Sequence, residues 1–314
     1  MPRSTQERIL SGFFWMGIAV LGYSVFPIFA RGIYAEAALR PSDVAAWRFL
    51  LATPTLWLIV AFTQARRSPA VRTQDDARQP GRGPLMAMGA LHGCASLPAF
   101  FALEHVAAGL YSILFYSYPT MVAVLSLFLG ERLPRAFWWA LLGTTGGVLL
   151  ALAPGLEVGA PGAELGQGIA FGGLLALLNA FLVACYFQFS RRILRDTPDV
   201  LRAVAWSFLG SLSVLATLAL ALGLRLPGGR DFALLLGLAW FSTVVALVAR
   251  NYGIQRLGPP RAALVATAEP LVTLVLAAVL LAEFLVPTQL LGGALILGSV
   301  ALLARDRQAA STVK

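Results

Sequence analysis

Residues 107–132 read AAGLYSILFYSYPTMVAVLSLFLGER, a run that is long and apolar enough to cross a bilayer as a helix. A second run, residues 258–284, reads GPPRAALVATAEPLVTLVLAAVLLAEF. Pro119 and Pro270 occupy the same place in the two runs, since a glutamate follows the first proline by 12 residues and the second by 13. We therefore expect twin helices that face each other across a pathway for a substrate.

The composition is that of a membrane protein. Of the 314 residues, 58% are hydrophobic and only 12% are charged, and the mean hydropathy is +0.77. Soluble domains carry charge on about a quarter of their residues, so this chain has too few polar groups to cover a surface in water. In lipid only helices and closed barrels satisfy the backbone, and apolar runs of roughly 20 residues favour helices. The sequence predicts an all-α integral membrane protein.

Apolar runs between charged, proline or glycine breaks predict about ten transmembrane helices. Arg3 and Arg8 precede the first run as in a signal peptide, but no small-residue cleavage site closes the run, so we expect it to be retained. The connections are short except for Thr63 to Gly83, which is polar and arginine-rich and which we expect to be a mobile loop. The expected bounds are 11–31, 42–62, 84–104, 107–130, 135–153, 166–189, 200–222, 231–250, 259–282 and 287–304.

The distribution of basic residues predicts that both termini are cytoplasmic. With an inside N-terminus, 19 of the 24 Lys and Arg residues fall on the inner side, Arg250 among them, and the remaining 5, including Arg48, fall on the outer side. Positive residues concentrate on the inner side of multi-pass proteins. We therefore expect a multi-pass protein of a cell inner membrane. The same bias accounts for the net charge of +9, so nucleic acid is not an expected partner.

A weak internal repeat relates the two halves of the chain. Glycine-rich spans follow both proline runs, and Gly146 and Gly298 each come 15 residues after the glutamate that follows the proline. Earlier in each half, residues 40–44 (RPSDV) resemble residues 196–200 (DTPDV). The order and spacing of these features indicate two copies of one structural unit.

The repeat divides the chain into two five-helix units, 1–153 and 166–314, joined by an outside connector at 154–165. An odd number of spans per unit turns the second unit upside down in the membrane. Inverted repeats of this kind hold their substrate near the midplane, between the two units.

Several motifs in this order resemble the ten-span EamA branch of the drug/metabolite transporter (DMT) superfamily. The resemblance covers essentially the whole chain, although Ala282 stands where the family usually has glycine. The motifs are Trp47-Arg48-Phe49-Leu50-Leu51-Ala52, the proline spans ending in Gly130-Glu131-Arg132 and Ala282-Glu283, and the two glycine-rich spans.

The resemblance implies ten helices around a central cavity, with the fourth and ninth spans lining it and the fifth and tenth at the periphery. Within the branch, Tyr116-Ser117-Tyr118-Pro119 and the segment from Phe181 to Tyr186 resemble the aromatic amino-acid exporters.

Ionisable groups inside a span are costly, so each is a candidate for substrate binding. Glu269 lies about 11 residues into the ninth span; it could bind an amine or carry a proton, or it could pair with an arginine in a structural role. His92 could couple transport to protons, or pack between helices beside Gly89 and Gly93. Arg48 could hold a substrate carboxylate or extend to the outer interface.

Aromatic and polar side chains of the fourth and sixth spans form a second group of candidates. Tyrosine offers an apolar face and a hydroxyl group, which suits solutes of amino-acid size. Helical spacing puts positions 111, 115 and 118 on one face of the fourth span and position 116 on another. Packing in the membrane core is the alternative role for each aromatic residue. The candidates are Tyr116, Ser117, Tyr118, Asn179 and Tyr186.

Pro119 and Pro270 are candidate hinges. Each removes one backbone hydrogen bond and kinks its helix, which offers a bending point for alternating access. The alternative is that both are tolerated membrane prolines without a mechanical role.

The sequence favours a transporter over an enzyme. It contains no H-E-x-x-H, G-x-S-x-G or P-loop motif and no clustered metal ligands, so no catalytic residue, metal or cofactor is expected. The expected partners are a small-molecule substrate and the lipid bilayer. The oligomeric state stays open, a monomer included.

We expect a secondary transporter that exports small metabolites, above all amino acids including aromatic ones, by alternating access through a central cavity between the repeats. The alternatives are a drug or lipophilic-cation exporter and a non-transporting membrane scaffold or sensor. The few basic residues inside the spans argue against phosphates as substrates. The sequence leaves open the exact substrate, the direction of transport and the choice between proton coupling and facilitated diffusion.

Overall fold

The computed structural model describes residues 5–34, 39–105, 108–152, 167–281 and 287–312, and within them the chain is helical with no strand. The all-α prediction is therefore confirmed. Two sequence features, the connector at 154–165 and the pair Ala282-Glu283, lie outside the described residues.

Each of the first five predicted spans coincides with one helix or with two consecutive helices. The polar segment between the second and third spans adds one more. The helices of this half are α1 (Thr5–Ser24), α2 (Phe26–Tyr34), α3 (Pro41–Ala65), α4 (Pro69–Arg78), α5 (Arg82–His105), α6 (Ala108–Phe115), α7 (Tyr118–Phe128) and α8 (Arg135–Leu152).

The second half follows the same order without a counterpart of α4 among its described residues. The eighth predicted span is one continuous stretch in which a π-helical segment joins two α-helices. The elements are α9 (Gln167–Leu194), α10 (Val200–Ala221), α11 (Gly229–Gly237), the π-helix (Leu238–Val245), α12 (Ala246–Leu257), α13 (Pro259–Ala266), α14 (Glu269–Leu281) and α15 (Pro287–Thr312).

Five continuous stretches in the described part of the chain are long and apolar enough to cross a membrane. Shorter apolar helices include Tyr118–Phe128 and Pro287–Leu302. The exact number of crossings and the orientation of the termini stay predictions. The five stretches are Gln6–Ala30, Pro41–Ala65, Ala170–Leu194, Val200–Ala221 and Gly229–Leu257.

The expectation of a mobile loop between the second and third spans is wrong, because α4 forms inside it. Pro69 occupies the first position of this helix, where its missing N–H costs nothing. Arg67 Nη1 pairs with Asp75 Oδ2 at 3.1 Å, and Asp76 pairs with Arg202 of α10. These ion pairs hold a polar helix, none of whose residues is buried, against the ends of α3 and α10.

Both proline spans are broken rather than kinked. The first breaks at 116–117 between α6 and α7, and the second breaks at 267–268 between α13 and α14. Pro119 and Pro270 each stand at the second position of the following helix. A proline cannot donate to the carbonyl four residues earlier and its ring clashes there, so the first helix of each pair ends before the proline.

Hydroxyl groups at both breaks bond to carbonyls that have lost helical partners. Ser117 Oγ donates to the Leu114 carbonyl oxygen at 2.6 Å, and Thr267 Oγ1 donates to the Leu264 carbonyl oxygen at 2.6 Å. The two breaks therefore have similar local chemistry, as expected for related units.

The packing separates a central group of helices from a peripheral pair. In the centre, α5 packs against both α9 and α10, and α1 packs against α12; at the periphery, α8 packs against α15. The contact between α8 and α15 is close, because a Cβ atom on Gly147 would stand 2.6 Å from the Gly292 carbonyl oxygen. These glycines therefore serve an internal helix contact.

Helices α3 and α10 lie antiparallel, and the start of α3 is fastened to the end of α10. Asp43, which is fully buried, accepts hydrogen bonds from the Arg40 backbone N–H at 2.9 Å and from Arg40 Nε at 3.1 Å. The same guanidinium donates to the carbonyl oxygens of Leu222 at 2.9 Å and Gly223 at 2.5 Å, just beyond the end of α10.

A matching arrangement joins the other ends of the same two helices. Asp199 caps the start of α10 by accepting from the Arg202 backbone N–H at 3.1 Å. Its other oxygen accepts from Arg67 Nη1 at 2.8 Å and from the Gln64 side chain, both at the end of α3. Asp43 and Asp199 are the aspartates of the RPSDV and DTPDV segments, so the repeat in the sequence reappears as two equivalent fastenings.

Candidate functional site

A cavity of about 250 Å³ lies between the two halves of the chain. Among the described residues, the wall is formed by α1, α2, α3, α5, α6, α7, α9, α12, α13 and α14, whereas α8 and α15 contribute no lining residue. The fourth and ninth spans thus line the cavity and the fifth and tenth lie outside it. The polar and charged lining residues are Tyr23, Arg48, His92, Ser96, Tyr111, Tyr118, Asn179, Arg250 and Glu269.

The two helix breaks present different residues to this cavity from equivalent positions. Tyr118 is the first residue of α7 and Glu269 is the first residue of α14, and each directly precedes the proline of its span. Tyr118 Oη donates to the Ala263 carbonyl oxygen of α13 at 3.3 Å, which links the two broken spans. Ser24 Oγ of α1 lies within hydrogen-bond distance, 3.1 Å, of the Glu269 carbonyl oxygen.

The carboxylate of Glu269 lines the cavity without a direct partner. Within the described residues, no hydrogen bond reaches its side-chain oxygens and no basic group lies within the 4.0 Å of an ion pair. Arg250 lines the same cavity, and its charge acts on this carboxylate. The sequence left open a structural ion pair between Glu269 and an arginine. The described residues do not form that pair.

Arg250 occupies the cavity wall, contrary to its assignment to the inner membrane interface. Its side chain is buried, with 8% of its surface exposed. The guanidinium carbon lies 4.6 Å from the centre of the Tyr186 ring, 5.3 Å from that of Tyr23 and 5.8 Å from that of Phe187. Because these rings offer cation–π contacts, they stabilise a charge that has no acidic partner at ion-pair distance.

The reason for this error is the length of the eighth span. The polar residues after Arg250 suggest that the span ends there, but the helix continues to Leu257. Arg250 is therefore two helical turns inside the span. Its presence in the cavity also overturns the argument that the cavity lacks basic residues to bind an anion.

His92 and Arg48 line the same cavity. His92 is buried, with 9% of its surface exposed, and its Nδ1 lies 3.5 Å from Arg250 Nη2. Arg48 is half-buried, and its guanidinium lies over the rings of Phe26 and Phe49 at 5.5 and 5.2 Å. The sequence allowed Arg48 either to bind a substrate carboxylate or to extend to the outer interface. In the structure Arg48 lines the cavity.

Three aromatic residues of the fourth span form one wall of the cavity, as their helical spacing predicts. Tyr111 stacks on Phe115 with ring centres 5.9 Å apart and planes 8° apart, and Phe115 contacts Tyr118 at 5.2 Å. Tyr116 points elsewhere and is not a lining residue, but its ring packs against Phe115 at 5.3 Å and Tyr118 at 6.2 Å.

The remaining candidates divide between the wall and the layer behind it. Asn179 lines the cavity, accepts a hydrogen bond from Tyr111 Oη at 3.1 Å and donates to the Ala95 carbonyl oxygen. Tyr186 lies behind the wall and is hydrogen-bonded to Asn251 at 3.0 Å. Ser117 is also absent from the lining, because its hydroxyl group bonds within the helix break.

Sequence reasoning missed Tyr23, Phe187 and Arg250 as cavity residues. The repeat contains a signal for the first of these. Asp43 and Asp199 are 156 positions apart, and the same interval relates Tyr23 to Asn179, a candidate that also lines the cavity. No comparable signal identifies Phe187. Metal ligation has no support within the described residues, which contain no group of three His, Cys, Asp or Glu side chains placed to hold an ion.

Comparison with known proteins places this arrangement in a family. The model of the EamA-like transporter family matches residues 10–153 and again residues 170–305. The chain belongs to the EamA-like transporter family. Membership of this family within the DMT superfamily agrees with the resemblance inferred from the motifs. The chain is therefore a transporter-family membrane protein, whereas the resemblance to aromatic amino-acid exporters has no support from the comparisons.

Three curated proteins that are named as transporters resemble this chain over most of its length. The Uncharacterized transporter YcbK of Bacillus subtilis is 26% identical over 92% of this chain and 91% of its own length. The Uncharacterized transporter sll1319 of Synechocystis is 26% identical over 98% of each chain. The Riboflavin transporter of Rhizobium johnstonii is 25% identical over 76% of this chain and 73% of its own length.

A solved crystal structure shares the fold of this EamA-like chain. It superposes with a TM-score of 0.77 over 96% of this chain and 99% of the other, at 22% sequence identity. At that identity the likeness concerns the fold alone.

Proposed function

We propose that this EamA-like protein is a secondary transporter that exports small metabolites, amino acids above all and aromatic ones among them, across a cell inner membrane. The observation that carries the proposal is the position of Glu269, an unpaired carboxylate at a helix break in the wall of the central cavity. An intramembrane carboxylate without a structural partner is a functional group by default. In this proposal it binds the ammonium group of the substrate.

The aromatic wall supports an amino acid with an apolar or aromatic side chain. Phe115 and Tyr118 line the cavity together with Glu269, and the Tyr111 hydroxyl group donates a hydrogen bond to Asn179. Aromatic rings prefer offset or edge contacts with other rings, so an aromatic side chain gains both burial and ring contacts here.

The size of the cavity favours a small solute. Its volume of about 250 Å³ lies just below the roughly 300–1,000 Å³ of pockets that hold drug-sized ligands. An amino acid needs less room than the tricyclic ring and ribityl chain of riboflavin. Two other substrates compete with amino acids in this proposal. Riboflavin is one, because a similar protein is named as a riboflavin transporter. A lipophilic cation is the other, because the carboxylate of Glu269 could bind it.

Alternating access would use the two breaks as hinges. At 116–117 and 267–268 the backbone has already left the helical ladder, so a change of angle there breaks few additional hydrogen bonds. Each half-helix beyond the break carries one cavity residue at its start, Tyr118 or Glu269. Bending at the breaks would therefore alter the cavity directly.

Uptake into liposomes that contain the purified protein tests the proposal. We expect radiolabelled phenylalanine to enter these liposomes faster than protein-free ones, and we expect Glu269→Gln to reduce this uptake by about 10-fold or more, since a charge-assisted hydrogen bond contributes about 1.5–3 kcal/mol. Glu131→Gln is the matched control, because Glu131 is exposed and lies outside the cavity. Uptake of riboflavin or of a lipophilic cation in the absence of any amino-acid flux would overturn the proposed substrate.

A further inference from the structure

We propose that the cavity contains an acid-binding subsite formed by Arg250, His92 and Tyr23, so that a transported solute must carry a carboxylate. The inference rests on the proposed function and defines its substrate class further. It separates amino acids from amines, lipophilic cations and neutral solutes such as riboflavin.

Arg250 is the fixed positive charge of this subsite. A guanidinium group is charged at any pH that proteins experience and offers five N–H donors in a planar fork that fits a carboxylate. In this structure Arg250 Nε has no hydrogen-bond partner, and no carboxylate of the described residues lies within ion-pair distance of the guanidinium. A buried arginine with aromatic rings around it and an unused Nε donor is suited to an anion that arrives from outside the protein.

The contact with Arg250 assigns the tautomer of His92. Arginine can only donate, so at the 3.5 Å that separates Arg250 Nη2 from His92 Nδ1 the histidine nitrogen must accept. The other ring nitrogen, Nε2, then carries the hydrogen. This Nε2 is buried and also lacks a partner, so it is a second unused donor on a lining residue in contact with Arg250.

Tyr23 supplies a third polar atom without a partner. Its hydroxyl oxygen is buried and makes no hydrogen bond in this structure, and the centre of its ring lies 5.3 Å from the Arg250 guanidinium carbon. Buried donors without partners destabilise the folded state, and native proteins contain few of them. Three of them on neighbouring lining residues are explained together if one anion binds there.

Arg250 and Glu269 line one cavity but do not pair with each other. An amino acid carries a carboxylate and an ammonium group on the same carbon atom, and it would place the first toward Arg250 and the second toward Glu269. Neither a simple amine nor a simple acid satisfies both charges. The subsite therefore selects zwitterions over either class of single-charge solute.

The inference can be tested on the unmodified protein with a series of analogues. Phenylalanine amide keeps the shape of phenylalanine but removes its negative charge, phenethylamine removes the acid group, and 3-phenylpropionate removes the amine. In competition with radiolabelled phenylalanine in liposomes, we expect the amide and phenethylamine to compete at least about 10-fold more weakly than phenylalanine, a difference of about 1.4 kcal/mol. Equal competition by the amide would overturn the subsite and leave amino-acid transport intact.

Variants then locate the discrimination. Arg250→Gln is expected to abolish the difference between phenylalanine and its amide, and Arg250→Lys is expected to retain part of it, because lysine keeps the charge but not the fork. Arg78→Gln, at an exposed arginine away from the cavity, is the control and should discriminate like the unmodified protein.

For a folded variant without uptake, the rise in unfolding temperature produced by phenylalanine or its amide gives the same comparison. Full discrimination by Arg250→Gln would overturn the assignment to Arg250. Absence of uptake of every amino acid by the unmodified protein would overturn the proposed function, and the subsite with it.

Discussion

Gly89→Ala should push the helices α5 and α10 apart. Gly89 of α5 faces the backbone of α10 so closely that an added Cβ would overlap the Ser207 carbonyl group and stand only 2.8 Å from Ser207 Cα. Cβ atoms essentially never approach other heavy atoms closer than 3.0 Å. Because the obstacle is backbone, no side-chain rotation can relieve the overlap. We expect α5 and α10 to move apart by about 1 Å or more, since protein interiors have no spare volume to absorb the methyl group.

The cost of this movement can be worked from the contacts. Overpacking a close-packed site costs about 1–3 kcal/mol. The separation also stretches the hydrogen bond of 2.8 Å from Ser211 Oγ to the Gly89 carbonyl oxygen, which contributes about 0.5–1.5 kcal/mol. We therefore expect the free energy of unfolding to fall by about 1.5–4.5 kcal/mol. His92 lies three residues further along the same helix, so phenylalanine uptake should fall as well.

Thermal unfolding in detergent, together with uptake into liposomes, measures both effects. Gly83→Ala is the matched control, because Gly83 lies in the first turn of the same helix and a Cβ there would meet nothing within 4 Å. The control should be neutral or stabilising by up to about 1 kcal/mol, as for glycine to alanine in an exposed helix. If Gly89→Ala unfolds at the same temperature as Gly83→Ala, the close approach of α5 and α10 is not a feature of the folded protein.

Tyr118→Phe removes the 3.3 Å hydrogen bond to the Ala263 carbonyl oxygen of α13. The free energy of unfolding, measured by thermal unfolding, should fall by about 0.5–1.5 kcal/mol. An unchanged value would mean that the bond is not formed. Pro119→Ala restores an N–H that can donate to the Phe115 carbonyl oxygen and so joins α6 to α7. Phenylalanine uptake should then slow, while the unfolding temperature stays equal or rises. Unchanged uptake would exclude a hinge at this break. Asp199→Asn weakens the bonds to the end of α3 and should cost about 1–3 kcal/mol. Part of this loss in the free energy of unfolding should disappear at high salt, because Arg67 is one-third exposed and salt screens its interaction with Asp199. A loss that does not change with salt would show that the charge of Asp199 is unimportant.

The fold was largely predictable from the sequence because lipid imposes simple rules on the chain. Apolar length located every described helix except α4, and the shared position of Pro119 and Pro270 indicated two related spans. The helix α4 was not predictable in this way, because it is polar and is held by ion pairs to Arg67 and Arg202 that join distant parts of the chain. Hydropathy carries no information on such pairs.

The site was predictable only in part. Intramembrane charge and proximity to a proline found Glu269 and Tyr118, which line the cavity. The same reasoning also selected Tyr116, which sits on the other side of its helix. Arg250 was missed because the polar residues that follow it resemble the end of a span, although Asn251 is buried and Gln255 and Arg256 are half-buried in a helix that continues to Leu257. Burial of polar residues depends on partners from other helices, and a single sequence does not show them.

The fastening of α3 to α10 at both ends limits how this molecule can change shape. The first helix belongs to the first repeat and the second to the other, so Asp43 and Asp199 tie the two repeats together at opposite ends of one antiparallel pair. Arg40 and Arg67 complete these ties, and a motion that swung one repeat away from the other as a rigid body would have to break one of them. Bending within each repeat leaves both intact. The pair of α3 and α10 then acts as a fixed frame. Few independent movements are left to the protein, namely those of the two broken spans and of the helices that follow them.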